Sequence, residues 1–162
     1  MIDPKRFIYS FAAVARMLGV KPGMVKKVEV WFNCIFVIVA GRRPRFWKKS
    51  SFTSHFVDWR KDQSEFYKVR KISNSVFEVT NGKSLYTLDA LLNTIRCTCN
   101  DYDNQHRYLK GRGCCKHGYA VLRFLGFDRL SEYIENHRWL NTNDEEIDYD
   151  EANHYIFGAS HC

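Results

Sequence analysis

The stretch CTCNDYDNQHRYLKGRGCCKH, residues 97–117, holds four of the six cysteines and two of the six histidines in a chain of 162 residues. Cys97-Thr98-Cys99 places two thiols two residues apart, so at the end of an extended segment they point to the same side. Cys115-Lys116-His117 places a thiol and an imidazole just ahead of the apolar run Tyr119-Ala120-Val121-Leu122, which reads as a helix ended by Gly126. Backbone N–H groups and the positive end of a helix dipole favour thiolates at such a start. Bringing the strand end against the helix start assembles a Cys₃His set. Soft sulfur donors, four ligands and no open position suit one structural zinc ion.

Disulfides compete poorly with that reading. Cys97 and Cys99 are too close to bridge comfortably, adjacent Cys114 and Cys115 likewise, and Cys34 and Cys162 have no obvious partners. The longest apolar run, 34–40, is too short to span a bilayer, and the first residues do not read as a signal peptide. The chain is therefore expected to be cytoplasmic, or nucleoid or nuclear, and not secreted, where a tight Cys/His cluster is more often a metal site than a disulfide framework.

Upstream of Cys97, the segments Tyr67-Val69, Val76-Val79 and Leu85-Leu88 alternate with period two, with a hairpin signal at Asn81-Gly82, and form a β-meander. Closer to the N-terminus, Asp3-Pro4 looks like a cap opening one amphipathic helix through Phe7, Phe11, Val14 and Leu18 to Gly19. Val28 to Val39 fits one bent strand or two consecutive ones, and 41–49 reads as a basic turn. Ser50-Ser51 then open a helix carrying Phe52, Phe56 and Trp59. After Gly126, Asp128 is placed to cap a last helix with Leu130, Tyr133, Ile134 and Trp139, followed by an acidic remainder with little to bury.

A β-meander, Cys-x-Cys, an insert, and Cys-x-His opening a helix together resemble the SWIM zinc-binding domain, over about residues 66–126. The resemblance implies a ββα arrangement around one zinc ion, with Cys97, Cys99, Cys115 and His117 as ligands. It also implies binding to DNA or to proteins, since such domains occur in remodelling-type ATPases, mutator-like transposases and recombination-associated complexes. Register selects Cys115 over Cys114, which is left as a spare thiol. His106, among Arg107, Lys110 and Arg112, reads as a surface histidine.

The expected fold class is α+β: an N-terminal helix-strand-helix lobe, 1–65, packed on a SWIM-type zinc-binding lobe, 66–127, with a C-terminal helix and acidic tail, 128–162. Charge is unevenly spread across it. Residues 1–72 carry 16 Lys/Arg against 5 Asp/Glu, 73–127 carry 7 against 4, and 128–162 carry 2 against 9, for a net +7. A basic lobe of this kind suits a polyanion. Arg42, Arg43, Arg45, Lys48 and Lys49 are candidates to neutralise phosphates, with Trp47 or Phe46 to stack on an unpaired base, and Arg107, Lys110 and Arg112 extend the set. No Gly-rich phosphate loop or activated nucleophile accompanies them, and the densest cluster is a closed metal site, so an enzyme is not expected. The expected function is a zinc-dependent nucleic-acid-binding module, DNA favoured. The alternative is an assembly subunit docking an ATPase, transposase or recombinase, with zinc purely structural.

Overall fold

The computed structural model describes residues 7–109 and 113–138. They form an α+β protein with two antiparallel sheets and five helices. The chain divides into two compact units between Asp58 and Trp59.

In the first unit, helix α1 (Phe11–Leu18) starts where the Ser10 side chain accepts the Ala13 N–H at 3.1 Å, and it stops at Gly19, whose φ of 61° favours a residue without Cβ. The expected single helix from Asp3 is therefore interrupted, because Ser10 captures a backbone donor and begins a new one. Asp3 and Pro4 lie outside the described residues. Strands β1 (Val25–Val30), β2 (Cys34–Val39) and β3 (Arg45–Lys48) follow, hydrogen-bonded in that order. The region that fitted one strand or two is a hairpin, with Val28 opposite Val37 and Val30 opposite Ile35. Part of the basic segment expected to be a turn is itself a strand: after the turn at Gly41, β3 sets Trp47 opposite Ile35 and Phe46 opposite Phe36.

This register sorts side chains onto two faces. Ile35, Val37 and Val39 point into a core with Ala13, Val14 and Ala15 of α1 and Phe52, which is fully buried on helix α2 (Lys49–Ser64). Trp47 packs against the same core, its ring 5.9 Å from that of Phe52. Phe36, Phe46 and Lys48 take the opposite face.

The division between units falls inside α2, whose last turns belong to the second. There β4 (Lys68–Lys71), β5 (Val76–Thr80), β6 (Leu85–Leu91) and β7 (Thr94–Cys97) form a simple antiparallel meander. The Asn81-Gly82 turn is closed by the Asn81 side chain, which accepts from Lys83 and Ser84 N–H at 3.1 Å each. Phe77, Val79, Leu88 and Ile95 face a core completed by Ala120, Val121 and Leu122 of α4 (Lys116–Leu125).

Between β7 and α4 the expected insert contains a helix, α3 (Asn100–Leu109). Its Asp101 receives two hydrogen bonds from Arg60, at 2.8 and 3.2 Å, and a third from Gln105 at 3.1 Å. Arg123 of α4 reaches back to the carbonyls of Ser64 and Tyr67. Helix α5 (Leu130–Arg138) inserts Tyr133 into the core, its hydroxyl donating to the Leu91 carbonyl at 2.9 Å. Its start is served by Glu132, which accepts the Asp128 and Arg129 N–H groups, while the Asp128 carboxylate pairs with Lys61 instead of capping. Trp139 and the acidic remainder lie outside the described residues.

Phe52 is the largest side chain sealed completely in the first unit, so Phe52→Ala is expected to cost about 3 to 5 kcal/mol. Chemical denaturation followed by tryptophan fluorescence checks it: the transition ascribed to this unit moves to lower denaturant.

Candidate metal centre

Cys97 ends β7 opposite Leu88, on the side of the meander that faces the core. The chain runs on extended through Thr98, whose N–H donates to the Thr87 carbonyl, so Cys99 returns to the same side. Cys99 then opens α3: its carbonyl accepts the Tyr102 N–H at 3.0 Å, and its sulfur takes the same donor at 3.3 Å. Cys115 performs the same office for α4, its sulfur accepting the Gly118 N–H at 3.4 Å. Two thiols thus sit at two helix N-termini, where backbone donors and the helix dipole both stabilise the thiolate.

His117 lies in the first turn of α4 with its ring stacked on Tyr86 at 3.8 Å and edge-on to Tyr67 at 4.7 Å. The two tyrosines leave the ring little freedom to turn. Its Nδ1 faces the sulfurs, 3.6 Å from Cys97 and 4.0 Å from Cys115. Nε2 is buried without a hydrogen-bond partner among the described residues. The imidazole therefore offers its Nδ1 to the cluster.

The donor atoms of Cys97, Cys99, Cys115 and His117 all lie within 4.8 Å of one another, and all four residues are buried. With bonds of about 2.3 Å to sulfur and 2.0 Å to nitrogen, the edges of a tetrahedral site are about 3.5 to 3.8 Å long. The two sulfur–nitrogen separations, 3.6 and 4.0 Å, lie near that scale and every other lies within 4.8 Å, so the set can hold a metal ion. The thiols share protons unequally: Cys115 and Cys97 donate to the Cys99 sulfur and pull its pKa far down. Their own ionisation is held up in turn. Hydrogen bonds to Cys97 and Cys99, with burial, raise Cys115; at Cys97 the bond with Cys115 acts downward, but that with Cys99 and burial outweigh it and push the pKa up to about 12. Burial and mutual proximity thus oppose ionisation of all three thiols together, and a cation bound among them would relieve that opposition.

Cys114, the spare thiol of the sequence reading, is buried beside this set, and burial pushes its pKa well up. A Cβ on Gly118 would collide with its sulfur, so the glycine lets the Cys114 side chain lie against α4. His106 stays exposed and stacks on Tyr102 at 5.9 Å.

The basic residues separate by face. Arg42, Arg43 and Arg45 line one small depression together with Leu18, Val37, Val39 and Trp47. Lys48 stands on the other side of the sheet opposite Cys34, and Lys49 donates to the Phe32 carbonyl at 2.6 Å. Of the two aromatic candidates, Trp47 is half-buried against the core while Phe46 is 60% exposed, so Phe46 is the ring free to stack. Sequence reasoning missed Trp31 and Phe36, which join it; the signal lay in strand pairing, which sets Phe36 opposite Phe46. Arg107 is exposed on α3; Lys110 and Arg112 lie outside the described residues.

Comparison of the chain with protein-family models, curated proteins and solved structures returns no match.

Elemental analysis of purified protein is expected to find one metal equivalent in the wild type and in Cys114→Ser, and almost none in Cys99→Ser or Cys115→Ser. Gly118→Ala is expected to lower the melting temperature, and the Cys114→Ala/Gly118→Ala pair to recover most of the loss, because the second change removes the atom that the new methyl meets.

Proposed function

We propose that this chain is a non-enzymatic nucleic-acid-binding module in which one zinc ion, held by Cys97, Cys99, Cys115 and His117, organises the second unit and arginines of the first contact phosphate. The observation that carries the reading is the convergence of Arg42, Arg43 and Arg45 on one depression, in a stretch where Glu29 is the single carboxylate between residues 4 and 57 against 11 Lys/Arg. Three exposed arginines bordering one small, mostly apolar hollow bring three fixed positive charges onto one part of the surface, which suits the regularly spaced charges of a nucleic-acid backbone.

Three buried sulfurs and an imidazole nitrogen gathered within 4.8 Å of one another favour zinc over harder cations, which prefer oxygen. Four protein donors fill its coordination sphere and leave no position for a substrate, which supports a structural role. Binding of zinc by such a set is worth about 10 to 16 kcal/mol, as much as the ~5 to 15 kcal/mol net stability of a domain. The second unit then depends on its metal for its fold. Its order of elements, a meander leading into Cys-x-Cys and a Cys-x-His opening a helix, supports a place among SWIM-type zinc domains, with α3 as an elaboration of the insert.

Metal-loaded protein is expected to bind oligonucleotides with an affinity that falls steeply as salt rises. Arg42→Ala/Arg43→Ala/Arg45→Ala should weaken binding across sequences and flatten the log–log salt slope by about 2 to 3. Anisotropy titrations over a salt series check this. Salt-independent binding, or an unaltered triple variant, removes the reading, and co-purification with a protein partner in the absence of any oligonucleotide binding replaces it with an assembly role.

A further inference from the structure

The depression lined by arginines occupies one side of the three-stranded sheet. The other side carries three rings in mutual contact. Trp31 stacks on Phe36 with centroids 5.5 Å apart and planes 28° from parallel; Phe46 completes the cluster, 5.1 Å from Phe36 and 5.2 Å from Trp31. The alternation that buries Ile35 and Val37 puts Phe36 and Phe46 on this outer face, where Phe46 is 60% and Trp31 48% exposed. Single exposed apolar residues are ordinary, but a contiguous aromatic patch on a sheet face marks a recognition surface.

The patch is held in place before any ligand arrives. Trp31 N–H donates to the Cys34 carbonyl at 2.9 Å, closing the turn between β1 and β2, and Lys49 fixes that turn from outside through the Phe32 carbonyl. Trp31 Nε1 donates to Glu29 at 3.3 Å, which orients the indole. The charged groups around it are Lys48, which shares the face with Phe46 two residues along the same strand, and the Lys27–Glu29 pair on β1, opposite Ile38 and Phe36; Lys48 leaves the face net positive. Glu29 is already paired with Lys27 at 2.8 Å, so no unpaired carboxylate of residues 4–57 opposes an anion here.

We propose that this face is a stacking surface for the unpaired bases of single-stranded nucleic acid; the inference rests on the nucleic-acid reading above and adds the strand state of the ligand. The occupant must offer flat π-faces and negative charge together at short intervals. A single strand does so at every nucleotide, whereas a duplex hides its base faces within the stack and presents phosphate alone. Rings on a sheet with cations beside them accept bases without reading their edges, so binding is tolerant of sequence. A duplex engages the arginine depression only.

The test compares a labelled single-stranded oligothymidylate with a labelled duplex of mixed sequence, by anisotropy, on metal-loaded protein. Trp31→Leu/Phe46→Leu is expected to weaken single-strand binding by about tenfold or more and to leave duplex binding unchanged. Trp31→Tyr/Phe46→Tyr, which keeps the π-faces, should retain single-strand affinity, and this separates lost stacking from lost folding. Phe66→Ala, at a 72% exposed ring of the second unit, serves as the control that changes neither. Undiminished single-strand affinity in the leucine pair, or an equal loss on both ligands, overturns the inference and leaves the phosphate-binding reading intact. Wild-type protein that ignores both oligonucleotides, whether or not it adheres to phosphatidylserine vesicles, overturns both.

Discussion

Three sulfurs and one imidazole nitrogen drawn within 4.8 Å of one another, away from water, form the constraint on which the second unit is built. A hydrophobic core can be assembled in many slightly different ways; a four-donor site of fixed edge length tolerates few. Here the two are one object. Cys97, Cys99 and Cys115 belong to the same buried cluster as Phe77, Leu88 and Val121, and the His117 ring packs between Tyr67 and Tyr86. A metal bound by this set would fix where the end of β7 meets the start of α4, together with the apolar contacts around it. The helix starts contribute in return, since both cysteine caps place backbone donors on sulfur.

The first unit is organised by a different rule. A three-stranded sheet too small to be buried on both sides puts its aliphatic residues toward α1 and α2 and leaves the other side wet. The buried contacts of this unit are made by Ile35, Val37, Val39 and Phe52, while the outer side carries the partly exposed rings of Trp31, Phe36 and Phe46. The alternation of β2 separates these roles residue by residue, so substitutions at Phe36 and at Val37 belong to different problems although the positions are neighbours.

Much of this was legible from the chain because the signals are local. The spacing of Cys97, Cys99, Cys115 and His117 names the donor set without coordinates, Asn81-Gly82 names a turn, and Gly19 and Gly126 name two helix ends. What stayed hidden depended on partners distant in sequence or on polar residues doing apolar work. Helix α3 was not visible because its inward side is Tyr102 and Gln105, and a glutamine sealed at 1% exposure breaks the pattern that periodicity looks for. β3 is four residues long and half basic, so it read as a turn. The grouping of Trp31, Phe36 and Phe46 exists only through register, which no local window contains.

Because Cys99 and Cys115 each pin a helix start to the same small volume, the polypeptide between them is tethered at both ends whatever lies between. The entropy of closing such a tether grows only with the logarithm of its span, about 0.6 kcal/mol for each doubling. A longer segment between the two helix starts therefore costs this architecture little, whereas Cys114, sealed against Gly118, holds the last step into Cys115 fixed.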